Sequence, residues 1–216
     1  MREESREELQ RLLAGNLPGR QAQWLMAPEH RSSRELEALQ EANARESAVL
    51  LLISFFSSRP SFYLIERQGY DGPHSGQISL PGGKKEEADF DFWHTALRET
   101  TEELGIEGEH IMPVGELTKL FIPVSRFWVH PKVGILNNEV QFSPNNREVK
   151  RILNPAISDL FDVTKREELL VGTGMQKFRA PAFVMENSLV WGATAMILSE
   201  FSELIRSSKL LTEAIK

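Results

Sequence analysis

The chain has 216 residues, 41% of them hydrophobic, enough for one sizeable core or two small ones. It contains no cysteine, which excludes disulfides, zinc–thiolate sites and thiol nucleophiles. A formal net charge of −6 argues against general nucleic-acid binding, so an anionic substrate needs local help from a metal or from nearby basic groups.

The chain begins with the charged run Met1-Arg2-Glu3-Glu4-Ser5-Arg6, which lacks the apolar stretch of a signal peptide. No apolar run approaches the length of a membrane span, and a cytoplasmic protein is expected. Glu3 to Ala14 and Ser33 to Ala44 read as helices, with a packed connection holding Trp24 between them. Residues 1–45 are therefore expected to form an N-terminal helical extension packed on a core domain of residues 46–216. Ser47 to Phe56 is an apolar run of buried-strand type; Arg59-Pro60-Ser61 turns it, and Ser61 to Glu66 is expected to pair with it. Residues 90 to 104 form a helix. Met112 to Leu117, Phe127 to Leu136 and Ala182 to Glu186 are further strand candidates, and Leu153 to Phe161 holds a turn plus a short helix. Ala193 to Lys209 closes the chain as a helix with Ala195, Leu198, Phe201, Leu204 and Ile205 on its apolar side. Strands interleaved with helices predict an α/β protein with a mixed sheet between helical layers.

One stretch carries chemistry. Pro81-Gly82-Gly83 follows a strand-like end, and Arg98-Glu99-Thr100-Thr101-Glu102-Glu103-Leu104-Gly105-Ile106 follows within one helix. Glu99, Glu102 and Glu103 are spaced i, i+3, i+4 and share one face, while Trp93, Ala96, Leu97, Thr100 and Leu104 form a second, apolar stripe. Arg98 is four residues before Glu102 and is placed to brace it. Clustered carboxylates repel one another; a hard cation such as Mg²⁺ would relieve this, with phosphate oxygens completing its shell. An isolated E-x-x-E-E is more often a solvated acidic face. The glycine pair upstream, which permits close backbone approach to a ligand, and the Gly105 stop turn the reading towards a metal and phosphate site.

Gly83, Asp89 and the segment Arg98 to Ile106 resemble the Nudix box, the signature of the Nudix hydrolases, which cleave nucleoside diphosphates linked to another group. Eight residues rather than seven separate Asp89 from Arg98, and Thr100 stands where an aliphatic residue is usual; the R-E-x-x-E-E-x-G core is intact. The resemblance implies an α/β/α sandwich with a mixed β-sheet. Leu64-Ile65-Glu66-Arg67 and His74-Ser75-Gly76-Gln77-Ile78-Ser79-Leu80-Pro81-Gly82-Gly83 resemble the extension that precedes the box in coenzyme A pyrophosphatases, although Gly72 replaces an arginine of that motif. Leu17-Pro18-Gly19-Arg20, Phe121-Ile122-Pro123-Val124-Ser125 and Val190-Trp191-Gly192-Ala193-Thr194-Ala195 carry further likeness to that branch.

What the resemblance implies is a Mg²⁺- or Mn²⁺-dependent diphosphatase. Its metal ligands would be Glu99, Glu102, Glu103 and the Gly83 carbonyl. Glu148 lies where relatives of the branch often carry an acidic residue outside the box, and is a candidate general base; a solvent-exposed loop glutamate is the competing reading. Arg67, Gly82, Gly83 and Lys84 are the candidate substrate contacts. Asp89 is expected to serve structurally at the helix start. The expected substrate is coenzyme A or an acyl derivative, split into adenosine 3′,5′-bisphosphate and (acyl-)phosphopantetheine. ADP-ribose, a dinucleotide or a nucleoside triphosphate is the alternative, and a non-catalytic nucleotide-binding module a third. No nucleic-acid or membrane partner is expected, and homodimer formation is left open.

Overall fold

The computed structural model describes residues 2–29, 44–57, 59–69, 76–173 and 176–214. The helix expected at Ser33 to Ala44, together with Gly72 and His74, lies outside the described residues apart from Ala44 itself. In chain order the elements are helices α1 (Arg2–Leu13) and α2 (Gly19–Trp24); strands β1 (Arg45–Ser54), β2 (Ser61–Phe62), β3 (Leu64–Arg67), β4 (Ile78–Ser79) and β5 (Gly82–Lys84); helix α3 (Phe92–Leu104); strands β6 (Ile111–Glu116), β7 (Leu120–Ile122), β8 (Phe127–Leu136), β9 (Val149–Leu153), β10 (Arg166–Thr173), β11 (Gln176–Met185) and β12 (Ser188–Trp191); and helices α4 (Gly192–Arg206) and α5 (Lys209–Ala214). Short 3₁₀ turns occupy Gly108–His110, Ile157–Leu160 and Val163–Lys165.

A mixed sheet sits at the centre. β1 runs parallel to β8, from Arg45 opposite Phe127 to Ile53 opposite Ile135. β2 and β5 pair antiparallel with the two ends of β1, and β6 and β7 with the two ends of β8. β1 is apolar from Ala48 to Ile53 because both of its faces are covered there. Ala48, Leu50 and Leu52 point to one core with Ala96 and Leu104 of α3. Leu51 and Ile53 point to the other, with Leu9 and Leu13 of α1 and Met196 and Phe201 of α4. Each of these fully buried leucines contributes about 2 kcal/mol. The result is the α/β/α sandwich with a mixed sheet that the sequence predicts.

The N-terminal segment is bonded into this core by a buried carboxylate. Glu200 of α4 accepts hydrogen bonds from Gly19 N at 3.1 Å, Gln23 Nε2 at 2.8 Å and Thr118 N at 3.2 Å, so a fully buried acid is satisfied on all sides.

Two strand expectations change. Ser61 to Glu66 does not stay with β1. The chain breaks after Phe62, and β3 joins a second sheet between β4 and β9. Alternation could not reveal the break, because Leu64 and Ile65 enter different cores and both are fully buried. Ala182 to Glu186 is only the end of β11, which pairs with β10 and β12 in a three-stranded meander. β10 carries Arg166-Glu167-Glu168 and is largely exposed, Leu170 included, so it shows no apolar–polar alternation.

Candidate active site

α3 is fixed at both ends. Asp91 is its N-cap, accepting from His94 N at 2.8 Å, and Phe92 stacks on His130 of β8 with ring centroids 3.5 Å apart. Gly105 closes it in the left-handed conformation at φ 67°. Thr95, Ala96, Thr100, Glu103 and Leu104 are buried, so the predicted apolar stripe faces the sheet and carries one carboxylate inward with it.

Asp89 is structural by a different route from the one expected: it precedes the cap and anchors Arg98. Arg98 Nε and Nη2 each donate to its carboxylate at 3.0 Å, and Thr95 Oγ1 and Glu86 N donate at 3.0 and 2.9 Å. These partners, Arg98 first, hold the Asp89 carboxyl well below its ordinary range. Arg98 also reaches Glu99 at 2.9 Å, Glu102 at 3.4 Å and the Lys84 carbonyl at 3.0 Å, tying the glycine turn to the helix.

The Pro81-Gly82-Gly83 turn lies against the carboxylates. Gly82 N donates to Glu103 Oε2 at 2.8 Å, and Arg67 stands 3.2 Å from Glu103 Oε1 while donating to the Gly82 carbonyl at 3.0 Å. Gly82 has φ 147°, and a Cβ there would sit 2.3 Å from the Ala48 carbonyl oxygen, so only glycine fits. A Cβ on Gly83 would meet the Glu99 carboxylate at 2.4 Å; Glu99 occupies the space that the missing side chain leaves.

Electrostatics separate the three glutamates. Glu103 is 1% exposed, and burial pushes its carboxyl up to about 7 despite Arg67 and Gly82 N; Glu99 and Glu148 add to the rise. Burial also raises Glu99. Glu102 is half-exposed and faces Arg98. Adjacent helical residues are about 100° apart, so the docking that buries Glu103 turns Glu102 outward.

Glu148 is brought to this cluster from 45 positions along the chain. Asn145 organises it: Asn145 N donates to the Glu103 carbonyl at 3.1 Å, and Asn145 Nδ2 donates to Glu148 Oε1 at 3.1 Å. Nothing in the sequence singled out Asn145; a turn-forming Asn-Asn pair just before a strand was its only signal. Glu148 is exposed, as is Lys84, whose carbonyl rather than its ammonium is engaged by Arg98.

Among the described residues no three acidic or histidine side chains form a ready-made metal cage. The oxygens present nevertheless suit Mg²⁺ or Mn²⁺. Hard ions of this kind are held by one or two carboxylates and completed by substrate phosphates. Glu99 and Glu103 are under-compensated carboxylates packed on a glycine backbone that no side chain screens.

This fold, with a box of carboxylates beside a glycine turn, defines a hydrolase of diphosphate bonds. A NUDIX domain matches residues 44–164, more than half of the chain. A relative described as the uncharacterized Nudix hydrolase NudL of Pectobacterium atrosepticum is 32% identical over 158 residues, covering 73% of this chain and 81% of its own. A NudL of Photorhabdus laumondii is 29% identical over 76% and 87% of the two chains. The solved structure of a Nudix hydrolase from M. smegmatis, RenU, superposes with a TM-score of 0.51 at 14% identity, over 76% of this chain and 87% of that one; it bears on the fold alone. The chain belongs to the Nudix family and is a Nudix hydrolase, acting on nucleoside diphosphate-linked substrates at the pyrophosphate bond. Nudix hydrolases generally use divalent metal ions.

Proposed function

We propose that this protein is a Mg²⁺- or Mn²⁺-dependent diphosphatase of the coenzyme A branch, splitting coenzyme A or an acyl derivative into adenosine 3′,5′-bisphosphate and (acyl-)phosphopantetheine. One observation carries the reading. The upstream segment that resembles the coenzyme A motif is bonded to the cleavage carboxylates: Arg67 N donates to the Gln77 carbonyl at 3.0 Å, and the Arg67 guanidinium spans Gly82 and Glu103. Residues that would select the substrate and residues that would cut it are thus one bonded unit.

In this reading Glu99, Glu103 and the Gly83 carbonyl hold the cation, and Glu102 contributes from the outer side of the helix. A divalent ion there supplies neutralisation of diphosphate charge and a lower pKa for water. Arg67 fixes the Glu103 carboxylate and offers its remaining N–H donors to phosphate oxygens. Glycine at 82 lets the turn press against β1, and glycine at 83 lets the Glu99 carboxylate lie directly on the turn backbone, which sets the carboxylates beside the Gly83 carbonyl. Glu148, steadied by Asn145, takes the proton of the attacking water. Lys84, exposed just after the turn, adds positive charge at the mouth of the site.

A product assay with Mg²⁺ or Mn²⁺ tests this, offering coenzyme A, ADP-ribose, NADH and a dNTP mixture. The expected result is highest kcat/KM for coenzyme A or an acyl derivative, with adenosine 3′,5′-bisphosphate released. Preference for another nucleotide would replace the branch assignment while leaving the chemistry. The feature favouring that second reading is Gly72 in place of the motif arginine.

A further inference from the structure

A cationic site is built on the face of the β4–β3–β9 sheet that Arg67 turns away from. Side chains alternate along a strand, so adjacent residues normally point apart. On β3 this holds: Arg67 turns to Gly82 and Glu103, and Glu66 turns the opposite way. On β9 it fails, because a β-bulge intervenes. Glu66 pairs with Arg151 and Arg67 with Val149, leaving Lys150 as the extra residue. The bulge delivers two consecutive cations to one side. Lys150 Nζ and Arg151 Nε each donate to Glu66 at 2.6 Å, on different oxygens.

The pair surrounds one carboxylate and retains a net positive charge. Among the described residues Lys150 donates only to Glu66, which leaves it two further N–H donors. Arg151 adds a hydrogen bond to Ser188 of β12 and still has donors to spare. These groups open on a cavity of about 460 Å³ between β3, β9 and β12, lined by Glu66, Gln77, Lys150, Arg151, Leu189 and Trp191. That volume accepts a small aromatic ligand. Trp191 and Leu189 supply aromatic and aliphatic lining, and Lys150 with Arg151 supplies charged donors to an anion.

We infer that this cavity is a mononucleotide site, separate from the carboxylate cleft, in which Trp191 packs against a purine ring and Lys150 with Arg151 holds its phosphate. Glu66 and Gln77 belong to the upstream segment that the coenzyme A reading uses, but Glu66 turns away from Arg67 and the cleft, and binding here needs neither a metal nor turnover, so the two readings are tested apart.

The probe is AMP, titrated calorimetrically into the full chain in EDTA. AMP should bind saturably to the wild type and equally to Glu103→Gln. Lys150→Gln should weaken binding about tenfold, and Lys150→Arg should restore it. Trp191→Leu should weaken AMP while leaving competition by inorganic phosphate in place. No saturable binding in EDTA overturns the proposal. So does binding that is lost in Glu103→Gln but kept in Lys150→Gln and Trp191→Leu, since the ligand would then lie in the carboxylate cleft. Circular dichroism of each variant confirms that loss reflects the site and not unfolding.

Discussion

The two ends of the box are each an acid held by an arginine, with opposite results. Before α3, Arg98 grips Asp89 with two bonds while a hydroxyl and an amide complete the shell, and the acid is held strongly ionised. In the last turn, Arg67 and one amide meet Glu103, yet burial and two neighbouring carboxylates prevail and the group is raised to about 7. The difference is the ratio of donors to negative charge. The Asp89 end is balanced within the protein and serves as a clamp. The Glu103 end is left short of positive charge, which is the state of a site completed by something else.

That contrast predicts that changes at the Glu103 end damage chemistry more than stability, and changes at the Asp89 end do the reverse. The largest effect belongs to Glu103→Gln. Turnover should fall about a thousandfold with weaker metal binding, while the melting temperature holds or rises because a buried charge is removed. Near-normal turnover would show that the cation sits elsewhere. Gly82→Ala comes next and marks where the contrast stops, because this glycine beside Glu103 is fixed by packing on β1 and not by charge. Its Cβ has no space against the Ala48 carbonyl, so chemical denaturation should report a loss of about 3 kcal/mol or more.

Glu148→Gln should cost about 100-fold in kcat with metal affinity unchanged, as removal of a general base does. A loss under twofold makes Glu148 a bystander on its loop. The smallest effect is at the clamp. Asp89→Asn should lower stability by about 2 kcal/mol with little direct effect on kcat. It also changes the pH response. The folded pKa of Asp89 lies below its unfolded value of about 4, so its contribution is full above that pH and is lost as pH falls towards the folded pKa. Thermal melts between pH 7 and pH 3 should therefore fall less steeply in the variant than in the wild type.

Much of the site was legible because it is local. Helical periodicity ordered Glu99, Glu102, Glu103 and the apolar stripe, and Gly105 marked the stop. The motif upstream drew attention to Arg67. Glu148 could be named from resemblance alone, since its neighbourhood in the sequence says only "turn". Asn145, which holds both Glu148 and the Glu103 backbone, was invisible for the same reason. The fold followed a similar division. β1 announces itself through the apolar run Ala48 to Ile53, covered on both sides, whereas β10 is largely exposed and owes its strand conformation to pairing with β11.

The sequence by itself determined the helix with its carboxylates, the glycine turn and the two long strand segments, because these depend on spacing within a few residues; that β1 and β8 lie parallel side by side was decided by the fold. The tertiary structure decided which carboxylate is buried and which is braced in solvent, since docking α3 on the sheet sends Glu103 inward and Glu102 out. It also decided that Lys150 and Arg151 share a face, because a bulge is set by strand pairing and has no signature within one strand.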